Sequence, residues 1–232
     1  MENYSTTTHV INQSAVTALF KSTYMQMAAA LTVTALTSYF LSQSAAFLVT
    51  FLGNSALMWI AIIAELGVVI WLSARLHAMS MTMATILFIA YSVLNGVTLS
   101  IIFLVYEPEV IALTFAVTAG MFAVMSIIGY TTRMDLSKVG GILLMALVGI
   151  ILASVVNIFL GSETLYWVIT YIGVLVFVGL TAYDTNKLRQ IYTQYGEVNE
   201  TGHKLALMGA LTLYLDFINL FLYLLRIFGN RR

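Results

Sequence analysis

Cysteine is absent from the 232 residues, which excludes disulfides, thiolate nucleophiles and cysteine-based metal sites. Charge is scarce, at 9% Asp, Glu, Lys and Arg; soluble chains carry about 25%. The few basic residues are scattered, so nucleic acid is not an expected partner. His9, His77 and His203 lie in polar ends and form no metal-ligand cluster. With no histidine inside an apolar segment, an intramembrane serine protease would lack its base, and the chain is not expected to be an enzyme. No cofactor is expected. Proline occurs once, in Glu107-Pro108-Glu109. Period-2 alternation is missing from the apolar runs, which excludes a membrane β-barrel.

What the chain has is apolar length. Hydrophobic residues make up 61% of it, in repeated runs near twenty residues. A soluble core could not absorb that much apolar surface, so the lipid bilayer is the first partner. The fold class is an all-α membrane protein with seven transmembrane helices, at about 24–42, 56–74, 82–105, 110–130, 138–160, 164–185 and 204–228. Residues 1–21 read as a polar N-terminal arm, and 22–232 as a single transmembrane domain. Asp135, in the turn YTTRMDLSK, is placed like an N-cap. The first apolar run, after Lys21, is long enough to span rather than to be cleaved as a signal peptide.

Charge placement gives an orientation. With the N-terminus in the cytoplasm, that side carries Lys21, Arg75, Arg133, Lys138, Lys187, Arg189 and Lys204. The outer loops then carry only Glu107, Glu109 and Glu163. Arg231 and Arg232 depart from the rule after a seventh crossing. Either they are tolerated outside, or the last segment is re-entrant; its length favours a full crossing.

The last segment, KLALMGALTLYLDFINLFLYLLRIF, carries Asp216 inside an apolar run. Gly209, Thr212, Asn219, Tyr223 and Arg226 share its helical stripe. An aspartate near mid-membrane costs roughly 2.5–3.5 kcal/mol by insertion scales, so the stripe should face protein or water. A second stripe in the sixth segment holds Thr170, Gly173, Phe177, Thr181 and Asp184. The two aspartates can meet only if helix tilt or a late helix start closes the difference in depth. Arg75, at the inner end of the second segment, is the available countercharge. Two carboxyls in one low-dielectric site cannot both ionise cheaply and tend to share a proton. Fully ionised, they repel and recruit Arg75 or a divalent cation; hard oxygen ligands suit Ca²⁺. The plain alternatives are an interfacial Asp184 and an Asp216 that only bonds Asn219. Glu65 and Arg75 are about 15 Å apart along one helix, so each needs a partner elsewhere. Asn95 and Asn157 read as interhelical bonding groups, and Gly120, Gly141, Gly149, Gly173 and Gly179 as packing notches.

GLTAYDTNKLRQIY (Gly179–Tyr192) and LTLYLDFINLFLYLLRIFG (Leu211–Gly229) resemble the Bax inhibitor family, also called the transmembrane Bax inhibitor motif family. FAVTAGMFAVMSIIGYTTRMDLS, YSVLNGVTLSIIF and the Glu65…Arg75 pattern extend the resemblance over almost the whole chain from about residue 20. It implies a seven-helix fold with the C-terminal helix central and surrounded by six. It further implies a pH-sensitive Ca²⁺ leak gated by a di-aspartyl latch, here Asp184 and Asp216, which would also hold calcium transiently as the transported ion. Arg75 is the matching countercharge, and Glu65, Asn219, Tyr223 and Arg226 are candidate pathway lining. Calcium and protons would be the small partners. The alternative is a regulatory protein that binds another membrane protein, such as a membrane-bound protease. A compact chain without a long basic tail points to a bacterial inner membrane.

Overall fold

The computed structural model describes residues 13–132 and 134–229. Among these, every regular element is helical. They are α1 (Gln13–Ser42), α2 (Ala45–Leu52), α3 (Ser55–Arg75), a 3₁₀ turn (Leu76–Ala78), α4 (Met81–Leu99), α5 (Ile102–Val105), α6 (Pro108–Thr131), α7 (Ser137–Leu160), α8 (Glu163–Tyr195) and α9 (Glu200–Phe228). Local chemistry sets the ends. The side chains of Ser44, Asn54, Ser80, Ser162 and Asn199 each accept a first-turn backbone N–H. Pro108 opens α6, where its missing N–H costs nothing. Gly161 and Gly196 end α7 and α8 in the left-handed region that favours glycine. Asp135 accepts the Ser137 N–H at 2.9 Å, with Leu136 in the cap position of α7.

Six of these helices, α3, α4 with α5, α6, α7, α8 and α9, are long and apolar enough to cross a membrane. Large apolar side chains such as Val49, Ile158, Phe159 and Leu175 are more than 70% exposed. Contiguous apolar surface of this kind calls for a lipid solvent. The molecule is therefore an all-α, multi-pass membrane protein.

The expected arm and loops are shorter than the apolar runs suggest. α1 starts at Gln13, and Ala15, Val16, Leu19 and Phe20 are buried, so residues 13–21 are helix and not a free arm. Residues 1–12, with His9, and the terminal Arg231 and Arg232 lie outside the described residues. α8 continues ten residues past the expected end, to Tyr195. Most of the expected polar loop of residues 187–203 is thus helical. The reason is that its polar groups have partners. Asn186 donates to the Gly129 carbonyl at 3.0 Å, and the Tyr192 hydroxyl lies 2.7 Å from Thr23 Oγ1. The third apolar run is broken at Ser100, whose hydroxyl donates back to Val97 O. α9 is unbroken over 29 residues. At about 1.5 Å per residue it is long enough for a full crossing.

α9 packs against α1, α4, α6 and α8, while α3 packs on α4 and α7 on α8. One apolar cluster joins α9 to α1, α4 and α6 through Leu19, Phe88, Phe122, Leu213, Tyr214 and Phe217. A second joins it to α7 and α8 through Ile150, Phe177, Leu180, Leu220 and Leu224. Tyr214 is tied across the first cluster by a 2.7 Å hydroxyl contact with Thr34. Gly129 lets α6 approach α8 closely: a Cβ there would stand 2.2 Å from the Ala182 carbonyl oxygen. Of the five glycines read as notches, Gly173 and Gly179 pack under Tyr223 and Leu143, whereas Gly120, Gly141 and Gly149 face open space.

Candidate functional site: a buried aspartate pair

Asp216 lies in the middle of α9 and is 5% exposed. Asp184, on α8, is partly buried. Their carboxyl groups lie close enough to act on each other directly. The long α8 makes this possible. Asp184 is eleven residues from its helix end at Tyr195, and Asp216 is sixteen from the start of α9 at Glu200. The difference is about 8 Å along the axes at 1.5 Å per residue, less than the loop expected from the sequence would leave. Asp216 Oδ2 is buried without a hydrogen-bond partner among the described residues, as is the neighbouring Thr185 Oγ1. Orphaned polar atoms of this kind are rare and expensive in a packed interior. The cation acting on Asp184 is Lys187, one turn further along α8.

The pair opens on a cavity of about 510 Å³ between α7, α8 and α9. Thr212, Asn219 and Tyr223 line it with Asp216, as their shared stripe requires. Asn219 donates to Leu215 O at 2.8 Å and not to Asp216, which answers the reading of Asp216 as a simple partner of Asn219. Facing them, α7 contributes mostly leucine, isoleucine and valine, with Ser154. A smaller space of about 300 Å³ shares Ser154 and Ile158 and reaches Arg226. A third, of about 500 Å³, shares Asn157, Tyr166 and Arg226 and ends at the α7–α8 turn by Gly161, Ser162 and Glu163. Arg226 rests against the rings of Tyr223 and Tyr166, at 5.0 and 5.5 Å from their centres.

Not every residue named from the sequence gathers here. Gly209 packs against Tyr192 and Leu188, away from the cavity. Glu65 is on α3, where it accepts hydrogen bonds from Asn95 and Thr98 of α4. Arg75 is exposed at the end of α3, next to the buried Leu76, and the structure does not bring it to either aspartate. Asn95 does bond between helices, but Asn157 accepts from the Ser162 backbone in its own turn, at 3.0 Å. Ser154, Asn157 and Tyr166 were missed as lining. Ser154 and Asn157 are three residues apart, the spacing of a helical stripe, which was the available signal. Among the described residues no three His, Asp or Glu side chains come together to hold a metal ion. Two carboxylates fall well short of the six to eight oxygens of a resident Ca²⁺ site.

An all-helical, multi-pass membrane protein with paired carboxyls between its last two helices is the class these features define. The family model described as "Inhibitor of apoptosis-promoting Bax1" matches residues 16–232, and the chain belongs to that family. It is 53% identical over 211 residues to the inner membrane protein YbhL of Escherichia coli strain K12, covering 90% of each chain. It is also 43% identical over 206 residues to an uncharacterized protein of Borreliella burgdorferi, covering 89% of each. An uncharacterized protein of Deinococcus radiodurans is 40% identical over 210 residues, covering 90% of this chain and 89% of its own.

Proposed function

We propose that the protein is a pH-sensitive calcium leak channel in which Asp184 and Asp216 form the latch. The supporting observation is the close approach of the two carboxyls, both lining the cavity between α7, α8 and α9. A hydrogen bond between two carboxyls needs one proton between them, and that proton clasps α8 to α9. Loss of the proton sets two like charges against each other in a low-dielectric site, and the clasp opens. The separated carboxylates, with Thr212 and Asn219, then offer oxygens to a passing Ca²⁺, which is cargo and not a resident ion. The ion route runs from the pair past Ser154 and Tyr223 to Arg226 and the mouth by Glu163.

This reading takes α1 as a seventh crossing, with α9 in the middle of the bundle. The N-terminus is in the cytoplasm, the latch toward the cytoplasmic side, and the membrane is the inner membrane, as the name of the Escherichia coli relative suggests. Lys187 is the near countercharge; Arg75 takes that part only if the end of α3 moves inward. Glu65, bonded to α4, would line a separate approach on the α3 side. No enzymatic step is involved.

The test is Ca²⁺ uptake into liposomes holding the purified protein, from about pH 5 to 8, a range that brackets raised carboxyl values. Asp216→Asn and Asp184→Asn are expected to flatten the pH response. Flux and pH response like the wild type in both variants would remove the latch.

A second reading, a regulatory protein that docks another membrane protein such as a protease, draws on α7. Gly141 and Gly149, eight residues apart on one side, face open space around the exposed Met145. Small-residue faces of this kind suit close helix contact. Absence of flux together with a co-purifying membrane protease would favour it.

A further inference from the structure

We propose that the groove between α1 and α6 is a binding site for one anionic phospholipid, with an acyl chain along the groove and the phosphate at Lys21. The groove has a volume of about 670 Å³. Its walls are Met27 and Leu31 of α1 and Ala119, Ala123 and Ile127 of α6, and Phe122 and Phe217 lie at its base. This side of the molecule is separate from the aspartate cavity, and the inference does not rest on the leak reading.

Length, polarity and charge select the occupant. From Lys21 to Leu31 the groove follows ten residues of helix, about 15 Å at 1.5 Å per residue. That is half of a hydrocarbon core about 30 Å thick, the depth of a single leaflet. A partner helix crossing the whole membrane would need twice that length. Polar groups are confined to one end, at Thr17, Lys21, Tyr24, Ser126 and Tyr130, and no acidic residue lines the groove. Lys21 is exposed and has no ion pair among the described residues. The neighbouring guanidinium of Arg189 is taken up by the carbonyls of Tyr130 and Thr132, which leaves Lys21, among the described residues, as a cation without such partners to meet a phosphate. Ser126 is 6% exposed, lines the groove, and its Oγ has no hydrogen-bond partner among the described residues. It lies one helical turn inward of Tyr130, about 6 Å deeper. That is the level of the ester carbonyls of a lipid whose phosphate is at the membrane face. A carbonyl there would give the orphaned hydroxyl its acceptor.

The experiment is native mass spectrometry of the full chain, released from micelles holding equal phosphatidylglycerol and phosphatidylcholine. The wild type should retain one phosphatidylglycerol about fivefold more than phosphatidylcholine, the preference expected from a single lysine near the surface. Lys21→Gln should abolish the preference and leave the chain folded. Ala123→Phe, which fills the groove from an exposed position, should lose the retained lipid; Leu152→Phe on the exposed face of α7 should keep it. Equal retention of the two lipids by the wild type would overturn the proposal. So would full retention in Ala123→Phe. A membrane protein that co-purifies in fixed ratio and is lost in Ala123→Phe would overturn it in favour of a protein interface.

Discussion

α7 and α9 are both apolar enough to cross a membrane, yet 6% of the most apolar stretch of α7 is buried and 67% of that of α9. The helix with an aspartate, an asparagine and two tyrosines is inside; the helix of leucine, isoleucine and valine is outside. Lipid tails are as apolar as leucine, so apolarity alone draws no helix inward. Polar groups do, because hydrocarbon offers them no partners. The contrast also separates two kinds of glycine. Gly173 on α8 accommodates the Tyr223 ring of α9, while Gly141 and Gly149 on α7 touch nothing.

Removing the same side chain from each helix should break the symmetry of their sequences most strongly. Leu213 of α9 is 0% exposed and Leu152 of α7 is 61% exposed. Leu213→Ala should cost roughly 2–5 kcal/mol of unfolding free energy, as for buried leucines generally. Leu152→Ala should cost less than about 0.5 kcal/mol. Denaturant titration in mixed micelles measures both. Equal losses would mean that α7 is covered by protein.

A smaller effect is expected from added bulk. Gly129→Val drives a side chain into the Ala182 carbonyl and strains the Asn186 hydrogen bond. Overpacking of this kind costs about 1–3 kcal/mol. Gly141→Val meets open space and should leave the melting temperature almost unchanged. A matching loss at Gly141 would reveal a partner seated on α7.

The smallest effect is at the entrance to α7. The Ser137 hydroxyl, and after it the Ser137 N–H that the Asp135 carboxyl accepts, hold its pKa below the ordinary 3.8. A lowered carboxyl value stabilises the fold above the unfolded pKa and ceases to do so as pH falls through the folded one. Asp135→Ala should therefore lower the melting temperature slightly and equally from about pH 5 to 8, with the gap closing only below about pH 4. A gap that changes across the neutral range would contradict this assignment.

The apolar runs revealed the helices because hydrocarbon demands about twenty apolar residues per crossing. They concealed the helix ends at Gln13 and Tyr195, where polar side chains are buried against partners far away in sequence. Thr23 with Tyr192, and Asn186 with Gly129, are such pairs, and no local pattern announces them. That omission made the loop between Asp184 and Asp216 look long. The aspartates themselves stood out because charge within an apolar run is expensive. Arg75 was legible as a cation at a helix end, but the direction of its side chain depends on how α3 leans on α4. Ser154 was hidden by the apolar context of α7, and Asn157 was legible only as an interhelical bonding group, because α7 faces the cavity on one side and lipid on the other.

The absence of cysteine from the chain offers a direct test of the aspartate contact. A double variant, Asp184→Cys with Asp216→Cys, would contain the only thiols in the protein. If the two positions form the latch, mild oxidation should join them within one chain and stop Ca²⁺ flux in liposomes, and reduction should restore it. Failure of the two thiols to join, or flux unchanged when they are joined, would contradict the account.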